Sequence, residues 1–226
     1  MFYSCGDNEE EQGKKGKLLK TALYICDGGA TEILYTAYYD NQNRLTKFKM
    51  SGVEFEDETS YNFQYSTNAI TLTTIDTSGN KNIVLQLNDS GYLINDEHCY
   101  FTYENGYVKE VKYAEYDRIS KFSWINGNMV QETGSNHIIT YEYSNRENLL
   151  NIDLIRFFNT ALPPHTCMLK FKGLASKNHL VKMTENSHIN SYEYEFDKDG
   201  YPIQIIGYFY RGDDKIEEFK YVLTYY

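Results

Sequence analysis

The sequence lacks any apolar run near the roughly 18 residues that a membrane-spanning helix needs, and its mean hydropathy is -0.60. It also lacks a basic stripe: Lys and Arg total 22 against 32 Asp and Glu, for a net charge of -10. A phosphate backbone would be repelled, which excludes nucleic acid as a partner. No serine nucleophile elbow, Gly-rich phosphate loop or His-Glu-x-x-His pair appears, so no catalytic residue, cofactor or metal is assigned and the chain is not read as an enzyme. There are only 4 Cys in 226 residues, and if one of them is modified the odd three left cannot all pair within the chain, which excludes a full disulfide framework.

What the chain has in quantity is rings. There are 23 Tyr and 12 Phe beside 3 Pro and 1 Trp, a composition suited to pleated, half-buried surfaces on which ring side chains pack across strands. From Leu18 onward, short alternating segments are separated by turn signals, among them Asp40-Asn41, Ser90-Gly91, Asn105-Gly106, Asn126-Gly127 and Asp199-Gly200. Such residues accept positive φ at low cost, as tight hairpins require. About seventeen candidate strands result, more than a flat open sheet tolerates before it curls or closes. The expected fold is all-β, a long antiparallel meander of hairpins forming a strongly curved or barrel-like sheet. Alternation in Pro202 to Tyr210 puts Ile203, Ile205, Gly207 and Phe209 on one face and Gln204, Ile206, Tyr208 and Tyr210 on the other. One segment breaks the pattern: Leu150, Leu154, Phe157, Phe158 and Ala161 fall at helical spacing, with a capping box from Ser144 and Glu147 and a stop at Pro163-Pro164. A short helix over residues 148–161 is expected, plugging the curved sheet.

The first residues carry the most specific local signal. Ser4-Cys5 is followed by Gly6-Asp7-Asn8-Glu9-Glu10-Glu11, a small residue before a cysteine and then an acidic run. This resembles the end of a lipobox, and the acidic run is similar to the tethers of surface-exposed lipoproteins in the Bacteroidetes. Cys5 is then the lipidation site, residues 1–17 a disordered tether and residues 18–226 a single β domain. Because a signal peptide needs a basic segment and an apolar one before its cleavage site, this reading places the true start upstream of Met1. Without lipidation the same stretch is a polar tail that cannot bury anything. With Cys5 set aside, Cys26, Cys99 and Cys167 sit in apolar or aromatic settings and are expected to act as small buried hydrophobes, though one bridge among them stays open.

Tyr194 to Pro202 (Tyr-x-Phe-Asp-Lys-Asp-Gly-Tyr-Pro), Asn151 to Leu154 and Gly173 to Leu180 together resemble a family of Bacteroidetes lipoproteins, a domain of unknown function described as porin-like in fold. The resemblance spans about residues 18–226 and implies a curved or closed antiparallel sheet. It brings no catalytic residues with it.

Several weaker patterns have simpler readings. His165-Thr166-Cys167 offers two soft ligands but no further pair, Asp197-Lys198-Asp199-Gly200 lacks most of a calcium loop, and Arg211-Gly212-Asp213 is a polar tripeptide at a turn. Carboxylates such as Glu54, Glu56, Asp57, Glu58, Glu217 and Glu218 neither assign nor exclude glycosidase chemistry. The expectation is a monomeric, surface-exposed outer-membrane lipoprotein, a non-catalytic module that binds a glycan or an envelope protein. The alternatives are a purely structural envelope protein and, behind it, a carbohydrate-active enzyme. An integral outer-membrane barrel, suggested by the closing alternation Phe219, Tyr221, Leu223, Tyr225, is disfavoured because strands such as Val108 to Tyr113 are too charged to face lipid.

Overall fold

Turn chemistry sets the connections and alternation sets the faces. A computed structural model describes residues 16–26, 29–52, 58–96, 98–115, 118–153, 173–211 and 214–226. Sixteen strands follow in chain order: β1 (Leu19–Cys26), β2 (Thr31–Tyr39), β3 (Leu45–Gly52), β4 (Thr59–Tyr65), β5 (Ala69–Asp76), β6 (Gly79–Leu87), β7 (Leu93–Asn95) and β8 (Cys99–Glu104) form the first half. The second half is β9 (Tyr107–Tyr113), β10 (Ile119–Ile125), β11 (Asn128–Thr133), β12 (Ile138–Glu147), β13 (Asn178–Glu185), β14 (His188–Phe196), β15 (Pro202–Arg211) and β16 (Asp214–Tyr225). Each strand pairs antiparallel with its chain neighbours, and β16 pairs with β1 to close the barrel. Closure removes the exposed edges that an open sheet would offer to other chains.

Two kinds of turn recur between even and odd strands. Asn105-Gly106 and Asn126-Gly127 have both residues at positive φ, which matches the right-handed twist of the strands they join. At Gly106, with φ 83°, a Cβ would also meet the Leu174 side chain at 3.1 Å. The longer turn is built on an Asp or Asn whose side chain takes two backbone amides. Asp40 Oδ1 accepts from Gln42 and Arg44, Asn88 Oδ1 from Ser90 and Tyr92, and Asp197 Oδ1 from Asp199 and Tyr201. In each, the fourth residue (Asn43, Gly91 or Gly200) has positive φ. The sequence signals at 40–41, 90–91 and 199–200 are parts of this one device.

Every strand except β10 places at least one apolar side chain below 10% exposure, and these belong to one cluster that includes Phe48, Ile70, Leu72, Leu93, Met129, Ile205 and Tyr221. A single buried cluster fed from the whole circumference has to lie inside the closed sheet. β10 adds the buried Ser120 and packs Phe122 and Trp124 against the cluster. The outer face carries charge, with Lys109, Lys112, Lys121 and Glu142 exposed beside a few exposed apolar side chains such as Leu34 and Val84, and Lys182–Glu142 and Lys215–Glu193 pair across strands at 2.8 and 2.5 Å. Cys99 is buried and Cys26 half-buried on the inner face, in keeping with their apolar settings.

The abundance of tyrosine now has a physical reason. Near the end of several even strands an inward ring reaches back to the start of the preceding strand and donates to its backbone carbonyl. Tyr65 Oη bonds Leu45 O, Tyr103 Oη bonds Leu93 O, Trp124 Nε1 bonds Val108 O and Tyr194 Oη bonds Leu180 O, each at 2.7 Å. Tyr225 Oη does the same to Pro202 O. The ring fills the core while its polar end satisfies a carbonyl. Burial pushes the Tyr65 hydroxyl up to about 12 and raises Tyr103, Tyr194 and Tyr225 too, so all stay protonated donors. Tyr103→Phe keeps the ring and strands the Leu93 carbonyl. It is expected to cost roughly 1 kcal/mol, read as a lower urea midpoint with an unchanged slope.

The structure can be set against the sequence reading element by element. The sixteen strands among the described residues agree with the expected number of about seventeen, and the corrections concern two local segments. The helix expected over 148–161 does not start where its capping box lies, because Ser144 and Glu147 belong to β12 and residues 148–153 form a turn with Asn151 at φ 51°. Residues 154–161 lie outside the described residues. Ile203 does not share the face of Ile205: Phe196 pairs with Pro202 and Glu195 with Gln204, so Ile203 is the extra residue of a bulge and is 38% exposed.

Candidate functional site

Cys5, His165, Cys167, Glu54, Glu56 and Asp57 lie outside the described residues, as do the side chains of Arg211, Glu217 and Glu218. Asp197 and Asp199 are brought together, but around a cation of the chain itself. Lys17 Nζ lies 2.7 Å from Asp197 Oδ2 and 2.7 Å from Asp199 Oδ2, and its hydrogen bond to Asp197, with the turn amides, holds that carboxyl below its usual range. The segment is a hairpin turn, as its simpler reading has it. Glu58 likewise faces Lys49 at 2.7 Å. Among the described residues no three His, Cys, Asp or Glu side chains gather as a metal site would require.

The most unusual polar group is His179, at the start of β13. It is 5% exposed, its ring lies 5.1 and 5.2 Å from the rings of Tyr194 and Phe196, and Nε2 is buried without a hydrogen-bond partner. Arg146 stacks its guanidinium 3.8 Å over Phe196. Burial first, and the Arg146 charge second, push the imidazole down to about 4, so it is neutral near pH 7. The ladder between β12 and β13 is interrupted here: Tyr143 pairs with Leu180, and the next pair is Glu147 with Asn178.

A second feature is the difference between the two ends of the barrel. In a meander all even-to-odd connections share one end, and here the chain also enters and leaves there: Tyr226 N bonds Leu18 O at 3.0 Å. This end is the terminal rim, and the odd-to-even connections form the far rim. Residues 173–178 strap the terminal rim, Leu174 N bonding Gly106 O at 2.8 Å and Lys177 N bonding Gly127 O at 2.9 Å. Cations lie over rings at both rims: Lys17 on Tyr201, Lys20 on Tyr226 and Arg44 on Tyr65 at the terminal one, at 5.2, 5.3 and 4.6 Å, and Arg118 on Tyr113 and Lys215 on Tyr208 toward the far one, at 5.1 and 3.8 Å.

No family model matches the chain, and no curated protein matches it in sequence. Solved structures do match it. A porin-like protein from Bacteroides uniformis superposes with a TM-score of 0.74 at 15% identity, covering 91% of this chain and 96% of that one. The chain has a porin-like fold. A second porin-like protein, from Bacteroides vulgatus, gives a TM-score of 0.55 at 11% identity over 92% and 98% of the two chains. The porin-like architecture implied by the sequence resemblance is thus found, while no family model supports the lipoprotein family itself. In this porin-like chain the interior is filled by an apolar cluster and charged side chains stand on the outer face, whereas a lipid-spanning barrel carries an apolar outer band around a polar interior.

Sequence reasoning did not single out His179. Asn178-His179-Leu180 carries no spacing signal, and only its place on the inner face of β13 marks it.

Proposed function

We propose that this protein is a cell-envelope lipoprotein, held at the outer membrane by lipidated Cys5, whose β domain is a non-catalytic binding or interaction module for a glycan or an envelope protein. The observation that carries the reading is the polarity of the wall. Exposed Lys109, Lys112, Lys121 and Glu142 on the outside and the buried aliphatic and aromatic cluster inside suit a barrel that stands in water, with its interior filled by side chains. A porin-like fold of that kind needs another means of staying at a membrane, and a lipidated cysteine at the end of a polar tether supplies one. Acyl chains contribute about 0.8 kcal/mol per buried methylene, so two or more hold a protein without a spanning element.

The test is radiolabelled palmitate incorporation into the product of the native locus, with its upstream DNA, beside Cys5→Ser. Label is expected in the parent and absent from the variant. Equal label in both would take the lipid off Cys5, and none in either would remove the anchor and with it the envelope reading.

A further inference from the structure

We propose that the exposed edge of β6, from Asn80 to Val84, docks an extended acidic peptide segment, which adds to the sheet as one more antiparallel strand. The inference deepens the interaction-module reading and takes its setting from it, but it stands on the wall of the barrel and not on Cys5.

The closure that removes strand edges elsewhere is thin at one place. β6 meets β5 in eight pairs, from Ala69 with Gln86 to Asp76 with Gly79. It meets β7, only 3 residues long, in two: Gln86 with Asn95 and Leu87 with Leu93. Leu87 N donates to Asn68 O at 2.9 Å, and that bond fixes the alternation of the ladder. Leu85, Ile83, Lys81 and Gly79 turn their main-chain groups to β5, while Gln86, Val84, Asn82 and Asn80 turn theirs the other way. Asn95 meets Gln86, but no described strand pairs with Val84, Asn82 or Asn80 on that side. Gly79, Asn80, Lys81, Asn82 and Val84 are all exposed. A row of open amides and carbonyls beside an intact ladder is the template that strand addition uses.

The side chains say what kind of strand fits. Lys81 pairs with Thr74 and so shares the inner face with Ile83 and Leu85, yet it is exposed and has no ion-pair partner among the described residues. Asp76, two pairs further along that face, is taken up by its own turn, accepting from Ser78 N and Oγ at 2.8 and 2.5 Å. On the outer face Asn80 and Asn82 are uncharged. Val84, Ile94 and Tyr100, at 51%, 38% and 50% exposure, leave apolar surface where β6 gives way to β7 and β8. The incoming strand therefore carries a carboxylate opposite Lys81 and apolar residues opposite Ile83 and Val84. A second copy is a poor occupant: antiparallel pairing about Asn82 brings another Lys81 to the same face in place of a carboxylate. Lysine on an edge guards against like edges, and the same charge admits an acidic strand.

The probe is the fluorescently labelled peptide Ser-Val-Ile-Thr-Glu-Thr-Ser, whose Glu stands opposite Lys81 when its central Thr pairs with Asn82. With the full chain carrying Cys5→Ser, saturable binding is expected in fluorescence anisotropy. In the free protein the amides of Asn80, Asn82 and Val84 should exchange with deuterium much faster than those of Lys81, Ile83 and Leu85, and peptide should slow the first set several-fold. Methylating the nitrogen of the central Thr, which faces β6, should weaken binding about tenfold, the order of one or two main-chain hydrogen bonds, while methylating that of Glu, which faces away, should not. Asn82→Pro removes an amide that β5 does not use, so the barrel should keep its urea midpoint and lose the peptide. Lys in place of Glu in the peptide should weaken binding several-fold, and Lys81→Glu in the protein should restore it. Absence of saturable binding up to millimolar peptide, binding indifferent to the site of methylation, uniform protection from Asn80 to Leu85 in the free chain, or protection that rises with protein concentration alone would each overturn the proposal. The protein carries no acyl group throughout, so the outcome is independent of whether Cys5 is lipidated, which the palmitate experiment decides.

Discussion

Replacing Gly207 with valine is expected to destabilise the barrel by about 3 kcal/mol or more, although valine is the better strand residue. Gly207 pairs with Phe219 across β15 and β16, and the Phe219 ring lies over it: a Cβ at 207 would fall 2.3 Å from Cζ and 2.4 Å from Cε1. The contact cannot relax easily, because Phe219 also packs on Tyr24, Tyr192 and Tyr221 at centroid distances of 6.0, 6.3 and 5.2 Å. Without the ring the substitution would stabilise, since glycine in a strand costs roughly 0.5–1 kcal/mol relative to alanine, so even its sign is informative. Phe219→Leu should cost a smaller amount alone and recover part of the loss when combined with Gly207→Val. Urea midpoints for the four proteins of this cycle give the coupling. A neutral or stabilising Gly207→Val would mean that the ring does not lie where the structure puts it.

Acid is expected to weaken the protein through His179 before its carboxylates matter. The folded state holds this imidazole at about 4, against its ordinary 6.5, because burial disfavours the charged form and protonation would place a charge beside Arg146, among Tyr194 and Phe196. The unfolded chain therefore binds the extra proton between these two values. Stability contributed by the neutral form is complete above pH 6.5 and is lost as the pH falls through 4. The full loss is roughly 3 kcal/mol, at about 1.4 kcal/mol per pH unit of separation. His179→Phe should remove that slope while changing stability at pH 7.5 by only about 1 kcal/mol, the order of one lost hydrogen bond. The comparison isolates His179 because Asp40, Asp197 and Glu193, whose carboxyls are held below their usual range, titrate alike in both proteins. Parallel curves of urea midpoint against pH from 7.5 to 4.5 would contradict this account.

Much of the architecture was legible because it is local. Asn105-Gly106 and Asn126-Gly127 announce their hairpins, and alternation in β5, β9 and β16 announces which residues share a face. What failed depends on partners distant in sequence. Ser144 and Glu147 spell a capping box, but pairing of Tyr141 with Met183 and Tyr143 with Leu180 draws that segment into β12, a tertiary override of local preference. Ile203 changes face only because of a bulge opposite Phe196. The alternation from Phe219 to Tyr225 suggested lipid, yet Phe219, Tyr221 and Leu223 are 5%, 2% and 3% exposed and Tyr225 packs against the same cluster, inside the barrel. Period-2 alternation gives the two faces without saying which is inner. His179 was invisible on the same ground, since its unusual setting comes from β12 and β14 and not from its chain neighbours.

The pairing of β1 with β16 bears on how such a chain can be made. Every other pairing joins neighbours in sequence, so hairpins can zip one after another as the polypeptide emerges, at little cost in loop closure. The final pairing brings Leu23 to Val222 and must wait for the last strand. Until then β1 offers an open row of amides and carbonyls, so the nascent barrel is vulnerable to joining another copy by its free strand. Once shut, the barrel is a ring of strands with a nick, Leu18 ahead of β1 and Tyr226 after β16 joined by one hydrogen bond. Sealing that nick and opening the ring at another turn would reorder the assembly while leaving the same circle of strands.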